Sequence, residues 1–512
     1  MPAAAARVFT AGLTAWLAAG LLLTGGLQAP AAGAAERLRV AIPTLPPTLG
    51  NPYGANGTPS SLTWSAIFDG LTRLGPDGLL QPALATHWEM ESPTQWRFTL
   101  REGVAFSNGE PLDAQAVVAT LDWLRSPAGQ RTVIGTEIRS VTAAEARDPR
   151  TVVIHTDRPD AILPARLSSV MIVPPGQWRA LGAEAFARQP VGTGPFRLVN
   201  WTDRGRSARL AAVPGSWRAP TLDELVLIGL PDSAVRVQAL RSGEVDLAVV
   251  DIDDTDFLVA RGFAITHAPA MQVMALAFNT ERERPTPVSD IRVRQALNLA
   301  IDREAIAGIL LQGLAAPAGQ PASRVTHGYA PDVPPYPYDP ERARALLAEA
   351  GYAEGLSLEI QVAEGNMPAA SQIYQVIVQY FARVGVQARV QVRPFSAWLR
   401  DYLAGSVSAD LFGLPWNSGP YNDVIRPLEY YSCLKRRPFF CDPEVVPAIE
   451  AANVETDPVR RLELLRDLAA DMHRLAPSLF VVEQIDLFAQ DAALAGVEIA
   501  NRVPMYELIH WR

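Results

Sequence analysis

Between Ile373 and Val392 the chain changes its hydrophobic period once, at Gly385. Ile373, Val376, Ile377, Tyr380 and Phe381 recur at helical spacing. Val386, Ala388, Val390 and Val392 then alternate with Gln387, Arg389 and Gln391. A helix that hands over to a strand across one glycine excludes an all-helical bundle and an all-β sandwich, because neither contains that join. The same grammar recurs along the chain. Gln95–Leu100 and 151–155 are rich in β-branched and aromatic residues and read as strands. Asp113 can cap a helix carrying Val117, Val118, Leu121 and Leu124, and Val293, Ala296, Leu297, Ala300 and Ile301 form one apolar stripe. Asp339-Pro340-Glu341 opens a further helix that Gly351 ends, and Leu462, Leu465, Ala469 and Met472 mark a late one. No internal repeat interrupts the pattern. The expected fold class is α/β, with mixed sheets flanked by helices.

Size and charge narrow the class. At roughly 150 residues per domain, a chain of 512 residues predicts about three compact units. Its 48% hydrophobic and 19% charged residues exclude a disordered tail, a coiled coil and a polytopic membrane protein. A formal charge of -9 argues against nucleic acid as a partner. Lys435 is the single lysine among 45 Lys and Arg residues, which reads as compositional bias and leaves almost no candidate for lysine chemistry.

Residues 1–35 differ from the rest. Arg7 is their one charge, an uncharged run follows over 8–27, and small residues occupy 31–35 before Glu36. This is the pattern of a secretory signal peptide cleaved near Ala34 or Ala35. A retained anchor is the competing reading, but alanine and glycine dilute the run. No cysteine lies near the cleavage site, so the mature chain is expected to be periplasmic and without a lipid anchor. In an exported chain, Cys433 and Cys441 predict a disulfide that clips a short loop, two buried thiols being the alternative.

The search for an enzyme returns nothing. Gly192-Thr193-Gly194 starts like a dinucleotide fingerprint, but Pro195 follows and no third glycine arrives. Asp251, Asp253, Asp254 and Asp256 lack the glycine and the final acid of a calcium loop. The histidines are scattered, and neither a HExxH nor a G-x-S-x-G pattern occurs. No catalytic residue, metal site or cofactor is expected. Aromatics offer a different hint: Tyr53, Trp64, Trp201, Trp217, Trp398, Trp416 and Tyr421 sit beside glycines, prolines or asparagines. Each can line a small-molecule cleft or simply fill the core.

Seven segments, in order, resemble one family. They are 67–84 (IFDGLTRLGPDGLLQPAL) with 85–88 (ATHW), 98–116 (FTLREGVAFSNGEPLDAQA), 191–196 (VGTGPF), 239–247 (ALRSGEVDL), 290–304 (DIRVRQALNLAIDRE) and 338–352 (YDPERARALLAEAGY). The family is that of the extracytoplasmic solute-binding proteins of ABC importers, peptide/nickel class. The resemblance implies a two-lobed periplasmic-binding-protein fold of type II, cluster C, with an extra inserted domain. It places lobe one at 36–75, 188–270 and 478–512, the inserted domain at 76–187 and lobe two at 271–477, with crossings near 270 and 478. It also implies a binding protein, not an enzyme: a monomer that captures a small solute, peptide or peptide-like, and delivers it to a membrane permease driven by separate ATPase subunits.

The dipeptide-binding branch of that family pairs an arginine with the ligand carboxylate and an aspartate with its amine. Ungapped counting puts Glu364 at the arginine's place and Gly419 at the aspartate's, with Asp423 or Asp410 as substitutes for the latter. The expected ligand is therefore not a simple free dipeptide, and Glu364 is expected to face a cationic group or to stand solvated in its loop. The remaining expected contacts are Asn417, Ser418 and Asn279, with Tyr53, Trp398, Trp416 and Tyr421 as walls. Alternatives are a non-peptide solute of the same class (a cationic amine or guanidino compound, a sugar or a metal chelate), a hydrolase built on this scaffold, or a chaperone or sensor.

Overall fold

Aspartates start the helices where the sequence places them. The Asp113 carboxylate accepts from the Ala116 amide at 2.9 Å and opens the helix Ala114–Arg125. Asp339 does the same for Arg342 and opens Pro340–Glu349. Each satisfies one of the amides that a helix start leaves without a partner. The computed structural model describes Glu36–Arg512 apart from Asn56, Pro59, 203–205, 283–285, 364–368, Pro420 and Arg436, with the backbone alone at 395, 396, 403 and 414–417. Met1–Ala35, and with it the expected signal peptide, lies outside the described residues.

The join at Gly385 forms as expected. The helix Ala370–Arg383 buries Ile373, Ile377 and Phe381. Gly385 then turns the chain at φ 85°, a left-handed conformation that costs glycine little. The following strand Val386–Arg393 lies parallel to Leu356–Ala363, so the helix is the crossover that a parallel pair requires.

Ten strands make one large sheet. From one edge they run Val386–Arg393, Leu356–Ala363, Leu411–Asn417, Ala264–Phe278 and Ser478–Gln490. They continue through Leu247–Val249, Arg37–Ile42, Glu224–Gly229, Ser207–Ala212 and Phe196–Thr202. Two strands, of 15 and 13 residues, are longer than the rest and join the two halves. Ala264–Pro269 pairs with the end of Ser478–Gln490, and Val273–Ala277 pairs with its start. The register shifts between Pro269 and Val273 and again between Met274 and Ala275. Such irregularities bend a strand and raise its twist. From Ala270 onward the first long strand is buried on both faces, as a sheet covered on both sides demands.

A separate four-stranded antiparallel sheet runs Ala85–Ser92, Gln95–Leu100, Thr151–Thr156, Val141–Asp148. Its Phe98, Leu100, Val152 and Ile154 share one apolar core with Leu38, Val40, Leu225 and Leu227 of the large sheet. The other half of the large sheet carries two cores, one on each face: one holds Leu358, Ile360 and Ile377, the other Val273, Phe412 and Leu465. Cys433 and Cys441 form the expected disulfide.

The Gly-Thr-Gly segment has a structural task. Thr193 Oγ1 donates to Asp69 at 2.7 Å, and a Cβ on Gly192 would meet the Ile67 carbonyl oxygen at 2.0 Å. Because that oxygen is backbone, it cannot step aside. Gly192→Ala is expected to lower unfolding stability by at least about 2 kcal/mol, read from the urea midpoint; an unchanged midpoint would refute the close approach.

Candidate functional site

Two stretches remote in sequence face each other across a cavity of ≈ 760 Å³. One belongs to the core shared with the small sheet: Leu163 and Leu167 are buried there and hold the short helix Leu163–Arg166. The other, Tyr421 with the helix Ile425–Tyr430, belongs to the core that contains Phe412 and Leu465. Ile162 packs into that second core and so reaches across. Asn422, at φ 51°, donates through Nδ2 to the Gly78 carbonyl at 2.9 Å and to that of Val325 at 2.7 Å. Left-handed backbone is a conformation asparagine tolerates better than most residues.

The cavity wall carries both signs of charge, with Glu137, Asp160 and Glu429 against Arg166, Arg426 and Lys435. Arg426 approaches Glu137 at 3.5 Å, and the Arg166 guanidinium carbon lies 4.9 Å from the centre of the Tyr421 ring. Burial works against the charge on Arg166, but Tyr421, Asp160, Glu429 and Glu137 outweigh it and hold its pKa above the ordinary value. Tyr421 is buried, and burial pushes its phenol up despite Arg166.

The residues expected at the ligand do not all converge here. Tyr421 lines this cavity, and Ser418, earlier in the same loop, is buried, its amide donating to the Met271 carbonyl at 2.9 Å. Ser418 Oγ has no hydrogen-bond partner among the described residues. Asn279 lines a second cavity of ≈ 450 Å³, and Trp398 packs behind Tyr402 of its wall. There Asn279 lines the wall and spends Nδ2 on the carbonyls of Val407 and Ala409, while Trp398 stacks on Tyr402 at 5.3 Å. Tyr53 is core: its ring packs 5.2 Å from Trp123, and its hydroxyl donates to Met171 O. Trp416 and Asn417 pair through their backbones with Val273 and Gln272, their side chains lying outside the described residues, as does all of Glu364.

Neither substitute aspartate is free for a ligand amine. Asp423 accepts from Arg461 at 2.7 and 3.0 Å and meets His327 at 3.1 Å. Its burial opposes the charge, but Arg461 and His327 prevail and hold the carboxyl well below the usual range. Asp410 accepts from Arg282 at 2.6 Å, Thr286 at 2.7 Å and the Glu359 amide at 2.9 Å.

With this geometry in place, the comparisons decide the class. Residues 80–433 match the model of the bacterial extracellular solute-binding proteins, family 5. The chain belongs to this family. The glutathione-binding protein GsiB of Salmonella typhimurium is 31% identical over 386 residues, which cover 73% of each chain. The structure superposes on DppA from Helicobacter pylori in complex with the peptide STSA, with a TM-score of 0.77 and 20% identity over 93% of this chain and 98% of that one. NikZ from Campylobacter jejuni in complex with Ni(L-His) gives 0.79 and 22% over 92% and 97%. The two-lobed fold of type II with its mixed sheets is thereby established, and family members bind small solutes and work with an ABC permease and ATPase. No described helix is long and apolar enough to cross a membrane.

Sequence reasoning passed over Arg166, Glu137, Arg426 and Lys435. The first three carry no motif. Lys435 did carry a signal, its solitude, which was read as bias. The binding protein places that amine on the walls of both cavities, donating to Tyr402 Oη and lying 3.8 Å from the centre of the Tyr430 ring. Burial, with Arg426 adding, pushes its pKa down to about 7. Below that pH the folded and the unfolded chain both hold the proton, and the buried charge costs stability. Above it the folded chain releases the proton while the unfolded one keeps it, so this group's contribution rises with pH. Acetylation of Lys435, the only ε-amine available, is expected to reach half its limiting rate near about pH 7 when followed by peptide mass spectrometry. A midpoint above about 9, near the unperturbed lysine value, would contradict the burial argument.

Proposed function

We propose that this chain captures a short peptide or peptide-like solute between its two lobes and hands it to the membrane permease. The observation that carries the reading is the ≈ 760 Å³ cavity between two separate cores, walled by charges of both signs and by Tyr421 and Tyr430. A zwitterionic solute with peptide bonds finds partners there for both of its ends, whereas an uncharged sugar would leave buried charges unmet. The 31% identity to a glutathione-binding protein supports a peptide-like cargo. Gly419 in place of an aspartate, with Asp423 and Asp410 already engaged, argues against a free dipeptide. On this reading residues 1–35 direct export, and the two long strands, crossing near 270 and 478, are the hinge between lobe one (36–75, 188–270 and 478–512), which carries the inserted domain (76–187), and lobe two (271–477). Glu364 takes the cationic end of the solute.

Isothermal titration of the mature chain with glutathione, alanyl-alanine, the tetrapeptide STSA and a nickel–histidine complex tests the reading. Glutathione or the tetrapeptide is expected to bind more tightly than alanyl-alanine. A preference for the nickel complex, or binding of none of the peptides, would end it. Glu364→Gln is expected to weaken the best peptide about 10-fold near neutral pH. Affinity unchanged between about pH 6 and about pH 8 would remove Glu364 from the site.

A further inference from the structure

Most buried arginines in this protein are held by several short hydrogen bonds, and Arg166, like Arg73, departs from that pattern. Arg303 donates to the Phe480 carbonyl at 2.7 Å, to that of Asn298 at 2.8 Å and to Asn298 Oδ1 at 2.7 Å. Arg236 donates to the carbonyls of Val249, Leu230 and Pro231 at 2.6, 2.8 and 2.9 Å. Arg218 is met by Asp69, Glu507 and the Ser65 carbonyl at 2.8, 3.0 and 2.6 Å. Arg461 has both oxygens of Asp423 and the Ala452 carbonyl. Each is held by at least three hydrogen bonds to carbonyl or carboxylate oxygens, as the cost of burying an unmet guanidinium requires.

Arg166 is different. Its side chain is only 15% exposed, yet its one hydrogen bond runs to the Glu137 carbonyl at 3.4 Å, and its ion pair with Asp160 is equally long. Its Nε has no hydrogen-bond partner among the described residues. Asp160 cannot turn fully towards it, because the carboxylate oxygen that faces Arg166 also accepts from Ser140 Oγ at 2.6 Å. The Glu137 carboxylate is directed at Arg426. The guanidinium carbon lies over the Tyr421 ring, while the guanidinium's donors radiate in its own plane, so the ring does not occupy the fork. That fork lies on the wall of the ≈ 760 Å³ cavity.

We propose that Arg166 is the carboxylate anchor of the solute site, taking one carboxylate of the solute in a two-pronged ion pair while Tyr421 holds the guanidinium flat. The inference rests on the reading of this cavity as the solute cleft. It assigns the carboxylate partner to the helix Leu163–Arg166 and not to the sequence position occupied by Glu364.

Titration calorimetry of the mature chain, of Arg166→Gln and of the charge-preserving Arg166→Lys tests the proposal. The probes are glutathione, the tetrapeptide STSA, the amides of their carboxylates, and the nickel–histidine complex. Arg166→Gln is expected to weaken the best carboxylate ligand at least about 30-fold, and Arg166→Lys about 10-fold, because an ammonium cannot reproduce the fork. The amide of the anchored carboxylate should bind the unaltered chain as weakly as the acid binds Arg166→Gln. Circular dichroism of both variants reports folding, and Arg166→Lys keeps the test open if Arg166→Gln fails to fold. Binding to the variants within about 3-fold of the unaltered chain, full affinity for every amide, or binding of none of these carboxylates would overturn the anchor. If the nickel–histidine complex alone binds and is lost in Arg166→Gln, the peptide reading fails and the anchor stands.

Discussion

The antiparallel pairing of Ala264–Phe278 with Ser478–Gln490 is the constraint on which the rest of the molecule depends. Three strands of the large sheet lie on one side of this pair and five on the other, so the main-chain hydrogen bonds of two strands hold together what would otherwise be separate sheets. The apolar cores follow that division in part: one serves the first side and the small sheet, one the second side, and another runs from Leu358 and Ile360 across the pair to Ala41 and Ala248. The register shifts between Pro269 and Ala275 sit inside the shared pair. A regular ladder would resist bending there, whereas an interrupted one, including a proline with no N–H to give, concentrates it in a few residues.

Separate cores leave a surface between them that apolar packing does not fill, and that surface has to be managed by charge. Most buried charges are matched within their own half. Asp423 is tied to Arg461, Asp410 to Arg282 and Asp69 to Arg218. These pairs hold loops in place and are unavailable to a solute. Across the gap, Arg426 approaches Glu137 at 3.5 Å and Arg166 lies over Tyr421.

How much was legible in the sequence follows from how local each feature is. The caps at Asp113 and Asp339, the stripe from Val293 to Ile301 and the alternation after Gly385 are periodicities of ten residues or so, imposed by helix and strand geometry, and all of them form. The alternating pattern weakens only at Val392, which is exposed near the end of the edge strand. Aromatics were ambiguous for a physical reason. Tyr53 and Trp398 look alike in sequence beside small or turn-forming neighbours, yet one is held by Trp123 and Met171 and the other stacks on Tyr402. Arg166 and Tyr421 meet only through the tertiary fold. No spacing rule joins them, and in a chain whose basic residues are nearly all arginine no single arginine stands out. Lys435 stood out, but its meaning depends on Tyr402 and Tyr430 around it.

The position of Arg166 also bears on how capture couples to closure. A solute shifts the balance between open and closed lobes only through interactions that differ between the two states. A carboxylate on a freely solvated arginine would bind an open lobe nearly as well as a closed one. Arg166 is not of that kind, because the Tyr421 ring beside it packs in a different core from the helix Leu163–Arg166. On the proposed reading, closure brings the Tyr421 ring to Arg166, removes water from the guanidinium and strengthens any ion pair it makes. On that reading an anion seated there meets its full partner set only in the closed form, so its binding energy is directed to the closed state.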